Sequence, residues 1–205
     1  MTETTGITVD VRTFAAVNAI DTCSIWNLLS SNRLFRAALR RQCFFVVAPY
    51  VRYEALDKLW TRPTTSGLEM QVELRQLLSE RRGFTEETVS LEDLQAVASA
   101  PEARRLGRGE IAALALARKL RSAVLTEDQR ARRAAPKVGV DVAQTTPHLL
   151  GWLLYEGELT DGDVPVVIAE HEARIEANRG RLTRFLQMIY YEACRCRLLR
   201  EGLAS

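Results

Sequence analysis

Ala16-Val17-Asn18-Ala19-Ile20-Asp21-Thr22-Cys23-Ser24 is an apolar run that stops on an acid. Such a run predicts a buried strand, and parallel α/β sheets collect ligands outside the carboxyl ends of their strands, where Asp21 falls. Asp21 is therefore the first candidate functional residue. A simpler reading competes with it: an aspartate just before a helix caps that helix by accepting from its free N–H groups. Taken alone, the cap is the stronger of the two.

Working outward, Ile25, Trp26, Leu28 and Leu29 have helical spacing, Ser30-Ser31-Asn32 interrupts, and Leu34, Phe35, Ala38 and Leu39 resume an apolar face. Residues 43–48 form a second continuous apolar run, closed by Pro49, and predict a strand buried on both faces. Strand, helix, strand makes one βαβ unit. Residues 50–60 predict a helix with Val51, Ala55, Leu56 and Leu59 inward and Glu54 early in it. After a loop at 61–67, residues 68–78 predict a helix, 88–91 a short strand and 92–98 a further helix.

The clearest helix opens at Leu106-Gly107-Arg108-Gly109-Glu110 and continues through Ile111, Leu114, Leu116 and Leu120. Residues 122–126 predict a strand ending at Glu127-Asp128, followed by a basic helix from Gln129, a last strand over 138–145 and a helix over 147–156. Strands alternating with helices imply an α/β, three-layer fold with a mainly parallel central sheet. From Asp163 the pattern changes to one or two amphipathic helices, which divides the chain into a domain over 1–162 and an α-helical extension over 163–205. The apolar stripe of those helices suits core or dimer contact, and the expected assembly is a homodimer.

At 205 residues with 47% hydrophobic and 26% charged, the chain has the balance of a soluble protein, and no apolar run is long enough to span a bilayer. The polar first residues lack the pattern of a signal peptide, so the expected location is cytoplasmic, away from membranes. Four cysteines without a CxxC pair and only two histidines argue against a disulfide framework, a zinc site and a Ser-His-Asp triad. Any chemistry falls to carboxylates. The net charge of +2 conceals two basic groups, Arg33/Arg36/Arg40/Arg41 and Arg179/Arg181/Arg184, each a candidate polyanion patch or simply a solvated helix face. Neither a Walker loop nor a GxGxxG fingerprint is present.

Four acids stand at strand ends or helix starts: Asp21, Glu54, Glu110 and Asp128. In a parallel sheet they converge on one edge, where they repel one another unless a cation neutralises them. Oxygen donors without suitable His or Cys favour Mg²⁺ or Mn²⁺ over Zn²⁺, and such ions promote phosphodiester hydrolysis. Each acid also has a plainer use. Glu54 can pair with Lys58 and Asp128 with Arg132 at i+4, Glu110 can complement a helix dipole behind a Gly109 cap, and Glu127 competes with Asp128. Four such coincidences in order are less economical than one site.

The strand end Ile20-Asp21-Thr22-Cys23, Pro49 with Glu54, Gly107-x-Gly109-Glu110 opening an Ala-rich helix, and Leu125-Thr126-x-Asp128 resemble the ordered motifs of PIN-domain proteins of the prokaryotic toxin type. The resemblance covers roughly residues 16–160. It implies a metal-dependent endoribonuclease, in many cases the toxin of a toxin–antitoxin pair. Asp21, Glu54, Glu110 and Asp128 would then be the catalytic, Mg²⁺- or Mn²⁺-holding quartet acting on RNA. Thr22 and Ser24 fall where a hydroxyl assists the first acid, Thr126 precedes the last one, and Arg130 and Arg132 are placed either to hold an RNA phosphate or to balance the charge of the acids. Two features depart from the family pattern: the long stretch between Glu54 and Glu110, and the helices after Asp163. The alternative is a non-catalytic PIN-like module that binds RNA or a protein partner such as an antitoxin.

Overall fold

The computed structural model describes residues 10–59, 63–175 and 182–203. Its centre is a sheet of five parallel strands, β1 (Val17–Ile20), β2 (Phe44–Val47), β3 (Phe84–Glu86), β4 (Ala123–Leu125) and β5 (Ala143–Gln144), in the order β3-β2-β1-β4-β5. β1 is the middle strand, with Ala19 paired to Val46 on one side and to Val124 on the other. A central parallel strand loses water on both faces, which is why its sequence runs apolar without alternation. Its one polar residue, Asn18, is fully buried and fully occupied. Asn18 Nδ2 donates to the Ala15 carbonyl at 2.7 Å, and its Oδ1 accepts from Gln144 Nε2 of β5 at 2.7 Å.

The chain builds β2 and β3 on one side of β1, then crosses back to build β4 and β5 on the other. The order therefore reverses between β1 and β4, the switch point at which open parallel sheets form a crevice outside the carboxyl ends of their strands. Ten α-helices flank the sheet among the described residues: α1 (Thr22–Leu29), α2 (Asn32–Arg40), α3 (Pro49–Arg52), α4 (Thr65–Glu80), α5 (Leu91–Ala98), α6 (Arg108–Leu120), α7 (Gln129–Ala134), α8 (Thr146–Tyr155), α9 (Asp163–Arg174) and α10 (Thr183–Leu203). The expected α/β architecture with a parallel sheet is present. No described helix is long and apolar enough to cross a membrane.

Several local expectations need correction. α3 passes into a π-helical turn at Tyr53–Asp57 and ends at Lys58, so Leu59 is almost wholly exposed rather than inward, while Trp60 lies outside the described residues. No strand forms over 88–91: Ser90 Oγ accepts from the Asp93 N–H at 3.1 Å and caps α5, which overrides the β preference of Thr88 and Val89. The third strand lies earlier, at β3, where Phe84 packs on Phe35 and Phe45 with ring centroids 5.6 and 5.5 Å apart. The strand expected over 138–145 shrinks to Ala143–Gln144, because Ala135–Val138 is a 3₁₀ turn ended by Gly139 at φ 83°. Pro101–Arg105 forms a further 3₁₀ turn ahead of α6.

The C-terminal helices share their buried face with the rest of the core. Leu186, Ile189 and Ala193 of α10 are buried against α8, where Gly151 allows the close approach: a Cβ there would stand 2.6 Å from Ile189 and 2.8 Å from Val11. Buried His171 of α9 accepts the Leu182 N–H on Nε2 at 2.9 Å. Its Nδ1 meets Ser30 Oγ at 2.7 Å, and Ser30 in turn donates to the Asn27 carbonyl. With Nε2 accepting, Nδ1 carries the proton.

Candidate functional site

Asp21 sits at the carboxyl end of β1 and is 4% exposed. The predicted capping role is present, at the strand end where the functional role was expected. One oxygen, Oδ1, accepts the Ser24 N–H at 2.7 Å and caps α1; the other, Oδ2, accepts a short bond from Thr126 Oγ1 at the end of β4. The Thr126 hydroxyl also accepts the Asp128 N–H at 3.2 Å, so one side chain ties the ends of β1 and β4 across the switch-point crevice. Desolvation raises the Asp21 pKa against these bonds, and the Glu110 charge raises it further.

Glu110 lies in the first turn of α6, whose cap is Gly107 rather than the expected Gly109, and its carboxylate folds back over Gly107. Gly109 has a different reason to be glycine. A Cβ there would run into Glu54 Oε2, so the absence of a side chain lets the π-helical turn and α6 approach. Glu54 accepts from Thr22 Oγ1 at 3.1 Å and lies 3.8 Å from Lys58 Nζ. Thr22 thus supports Glu54 rather than Asp21, and the i,i+4 pairing of Glu54 is real.

Asp128 caps α7 through Ala131 N–H at 2.8 Å. At its neighbour Glu127, which the motif pattern ranks second, desolvation pushes the pKa up to about 7, with Asp21 adding to the rise, while the Thr146 N–H and Arg132 oppose it. The Thr146 N–H donates to Glu127 Oε1 at 2.7 Å. No sequence pattern marks Glu127 over Asp128; only burial does. Asp21, Glu110, Glu127 and Asp128 all act on one point, the Cys23 thiol, which desolvation and these four charges push up to about 11. The acids are therefore gathered at one edge, with Glu54 on the flank beside Gly109 and Thr22.

Two buried hydroxyls near these carboxylates, Ser24 Oγ beside Asp21 and Thr146 Oγ1 beside Glu127, lack a hydrogen bond of good geometry. Oxygen-only donors, mutual repulsion and unmet hydroxyls suit a hard divalent ion chemically. As the side chains stand, no three His, Cys, Asp or Glu residues among those described are close enough together to enclose a metal ion.

The basic residues divide by use. Arg132 Nη1 donates to the carbonyls of Thr126 (3.2 Å) and Glu127 (2.8 Å), so it braces the loop after β4 and is not free for a phosphate, nor does it pair with Asp128. Arg130 is exposed, with no ion pair or hydrogen bond among the described residues. The Arg33/Arg36/Arg40/Arg41 group is largely neutralised: Arg33 meets Asp163 at 2.9 Å, Arg41 meets Glu156 at 2.7 Å and lies over Trp152, and Arg40 meets Glu158. These pairs fasten the segment between α8 and α9 to α2. Arg179 and Arg181 of the second group lie outside the described residues, and Arg184 is exposed. All four cysteines are free thiols. The chain matches no protein-family model, no curated protein and no solved structure.

Proposed function

We propose that this chain is a metal-dependent endoribonuclease of PIN-like architecture, hydrolysing RNA phosphodiester bonds at the carboxyl edge of its sheet. The observation that carries the reading is the gathering of Asp21, Glu110, Glu127 and Asp128 at the β1/β4 crevice, where desolvation raises the pKa of Asp21 and Glu127. Carboxylates so placed call for a cation. Asp21, Glu110 and Asp128 would hold Mg²⁺ or Mn²⁺, with Glu54 and Glu127 completing its surroundings. Such an ion, when bound, activates water and offsets the charge that develops on the phosphate.

The chain's own groups have separable tasks in this reading. Thr126 fixes the orientation of Asp21, the Ser24 hydroxyl lies beside it, and Arg132 holds the β4 loop in place. Arg130 is free to take a phosphate oxygen. The role of toxin, with an antitoxin as partner, and a homodimeric state belong to the same proposal. Exposed Phe185, Met188, Tyr191, Leu198 and Leu199 on α10 are compatible with a protein partner.

The test is cleavage of an end-labelled single-stranded RNA by purified protein. The reading expects cleavage with Mn²⁺ or Mg²⁺, its loss in EDTA and its return on adding back the ion; cleavage that continues in EDTA would reject it. One observation favours the second reading, a non-catalytic binding module: Asp21 and Asp128 are already engaged as helix caps, and no three acids stand at ligating distance. That reading expects RNA binding without turnover under every metal condition.

A further inference from the structure

A cleft of about 340 Å³ lies between α3, α5 and α6, lined by Tyr50, Leu91, Leu94, Gln95, Arg108 and Ile111 and almost wholly apolar. Its position follows from the elements that make the site. Tyr50 lies in α3, which runs into the turn that carries Glu54, and Arg108 and Glu110 share the first turn of α6, so the cleft is built from elements that also carry two of the candidate acids, although neither acid lines it. The volume is at the low end for small-ligand pockets and suits one flat ring system rather than an extended ligand. Tyr53 packs on Tyr50 with ring centroids 5.9 Å apart and supports that ring. No acid lines the cleft, and Arg108 at its rim is exposed, with no ion pair or hydrogen bond among the described residues.

An aromatic ring with aliphatic walls, a free guanidinium at the mouth and a phosphate-handling site on the same elements match the parts of a nucleotide. We propose that this cleft takes one unstacked nucleobase of the strand whose phosphate lies at the acid cluster, an inference that rests on the nuclease reading. Tyr50 supplies the stacking face, Leu91, Leu94 and Ile111 exclude water from the other face, and Arg108 meets the phosphate beside that base. With so little polar lining, the base is held by its face rather than read by its edges. The cleft accepts any base and favours the larger purines.

The test is equilibrium binding of a fluorescent single-stranded RNA in EDTA, where no turnover occurs, compared with the same backbone made abasic. The variants are Tyr50→Leu, which keeps the bulk and removes the ring, and Ala98→Phe, which plugs the cleft from an exposed position at the end of α5. Loss of one stacked base weakens binding by about tenfold, so both variants should lose that factor on the normal strand and nothing on the abasic one. Equal loss on both strands, no loss in either variant, or no binding by the wild-type chain overturns the proposal. Cleavage in Mn²⁺ without base-dependent binding leaves the nuclease reading standing and removes this inference. Base-dependent binding without cleavage does the reverse.

Discussion

Thr126 donates its hydroxyl proton to Asp21 Oδ2 and accepts the Asp128 N–H on the same oxygen, joining the ends of two adjacent strands at the point where the sheet order reverses. Replacing it by Val keeps the shape, takes one donor from the buried Asp21 carboxylate and leaves the Asp128 N–H without its acceptor. Thr126→Val should cost about 1–3 kcal/mol in chemical denaturation, because Asp21 is left short of a donor. It should also raise the Asp21 pKa further and move the acid limb of any pH–rate profile upward. An unchanged unfolding midpoint would contradict this account of the bond.

Gly109 faces Glu54 so closely that any side chain must push the carboxylate away. The obstructing atom is the far end of a flexible, partly exposed side chain, so Gly109→Ala should change stability by less than about 1 kcal/mol, the disturbed Thr22–Glu54 bond offsetting the better helix propensity of Ala. The check is a double-mutant cycle by urea denaturation. In a Glu54→Ala background nothing opposes the new methyl and the same substitution should stabilise by up to about 1 kcal/mol; an equal effect in both backgrounds would mean that Glu54 does not restrain this position.

The carboxyl of Glu127 rises from the usual 4.5 to about 7 on folding. Within that window the folded chain binds more protons than the unfolded one, so this group's contribution to stability falls as pH rises and is fully lost above about pH 7. Asp21 is displaced in the same direction. Glu127→Gln, which keeps the oxygen that accepts the Thr146 N–H, should raise Tm near pH 8 and change it little near pH 5. Mn²⁺ should likewise raise the wild-type Tm more at about pH 8 than at about pH 5, since the ligands must be deprotonated to bind it. Differential scanning fluorimetry across pH, with and without the ion, reads both effects; parallel curves would count against them.

Arg130 and Arg132 sit two residues apart and are expected to behave differently. Arg132→Ala removes bonds to the Thr126 and Glu127 carbonyls and should destabilise by about 1–3 kcal/mol. Arg130→Ala should leave stability within about 0.5 kcal/mol, while weakening RNA binding a few-fold and flattening its salt dependence. Thermal melts and binding titrations at two salt concentrations separate the two; the reverse assignment of effects would contradict the braced and free geometries.

The sheet was legible where burial on both faces removed alternation, as in β2, apolar from end to end, and β1, apolar but for the buried Asn18. β5 was misjudged because Val138 and Val140 look strand-like, yet a glycine at positive φ turns the chain between them, and their burial is that of a packed turn. The acids at Asp21 and Glu110 could be placed from topology alone, since strand ends and following helix starts share an edge in any parallel sheet. The prominence of Glu127 could not, because desolvation arises from chain segments distant in sequence, here the start of α8. The Arg33/Arg36/Arg40/Arg41 group stayed open between patch and solvated face for a related reason: its partners Glu156, Glu158 and Asp163 lie more than a hundred residues away.

The central claim is that the acids at the β1/β4 crevice perform RNA hydrolysis, and the most direct measurement is the cleavage rate of Asp21→Asn in Mn²⁺. Asparagine can still accept the Ser24 N–H, so circular dichroism should show an intact fold. The account predicts a fall of at least about 100-fold in rate with the fold preserved. Cleavage by the folded variant at the wild-type rate would contradict it.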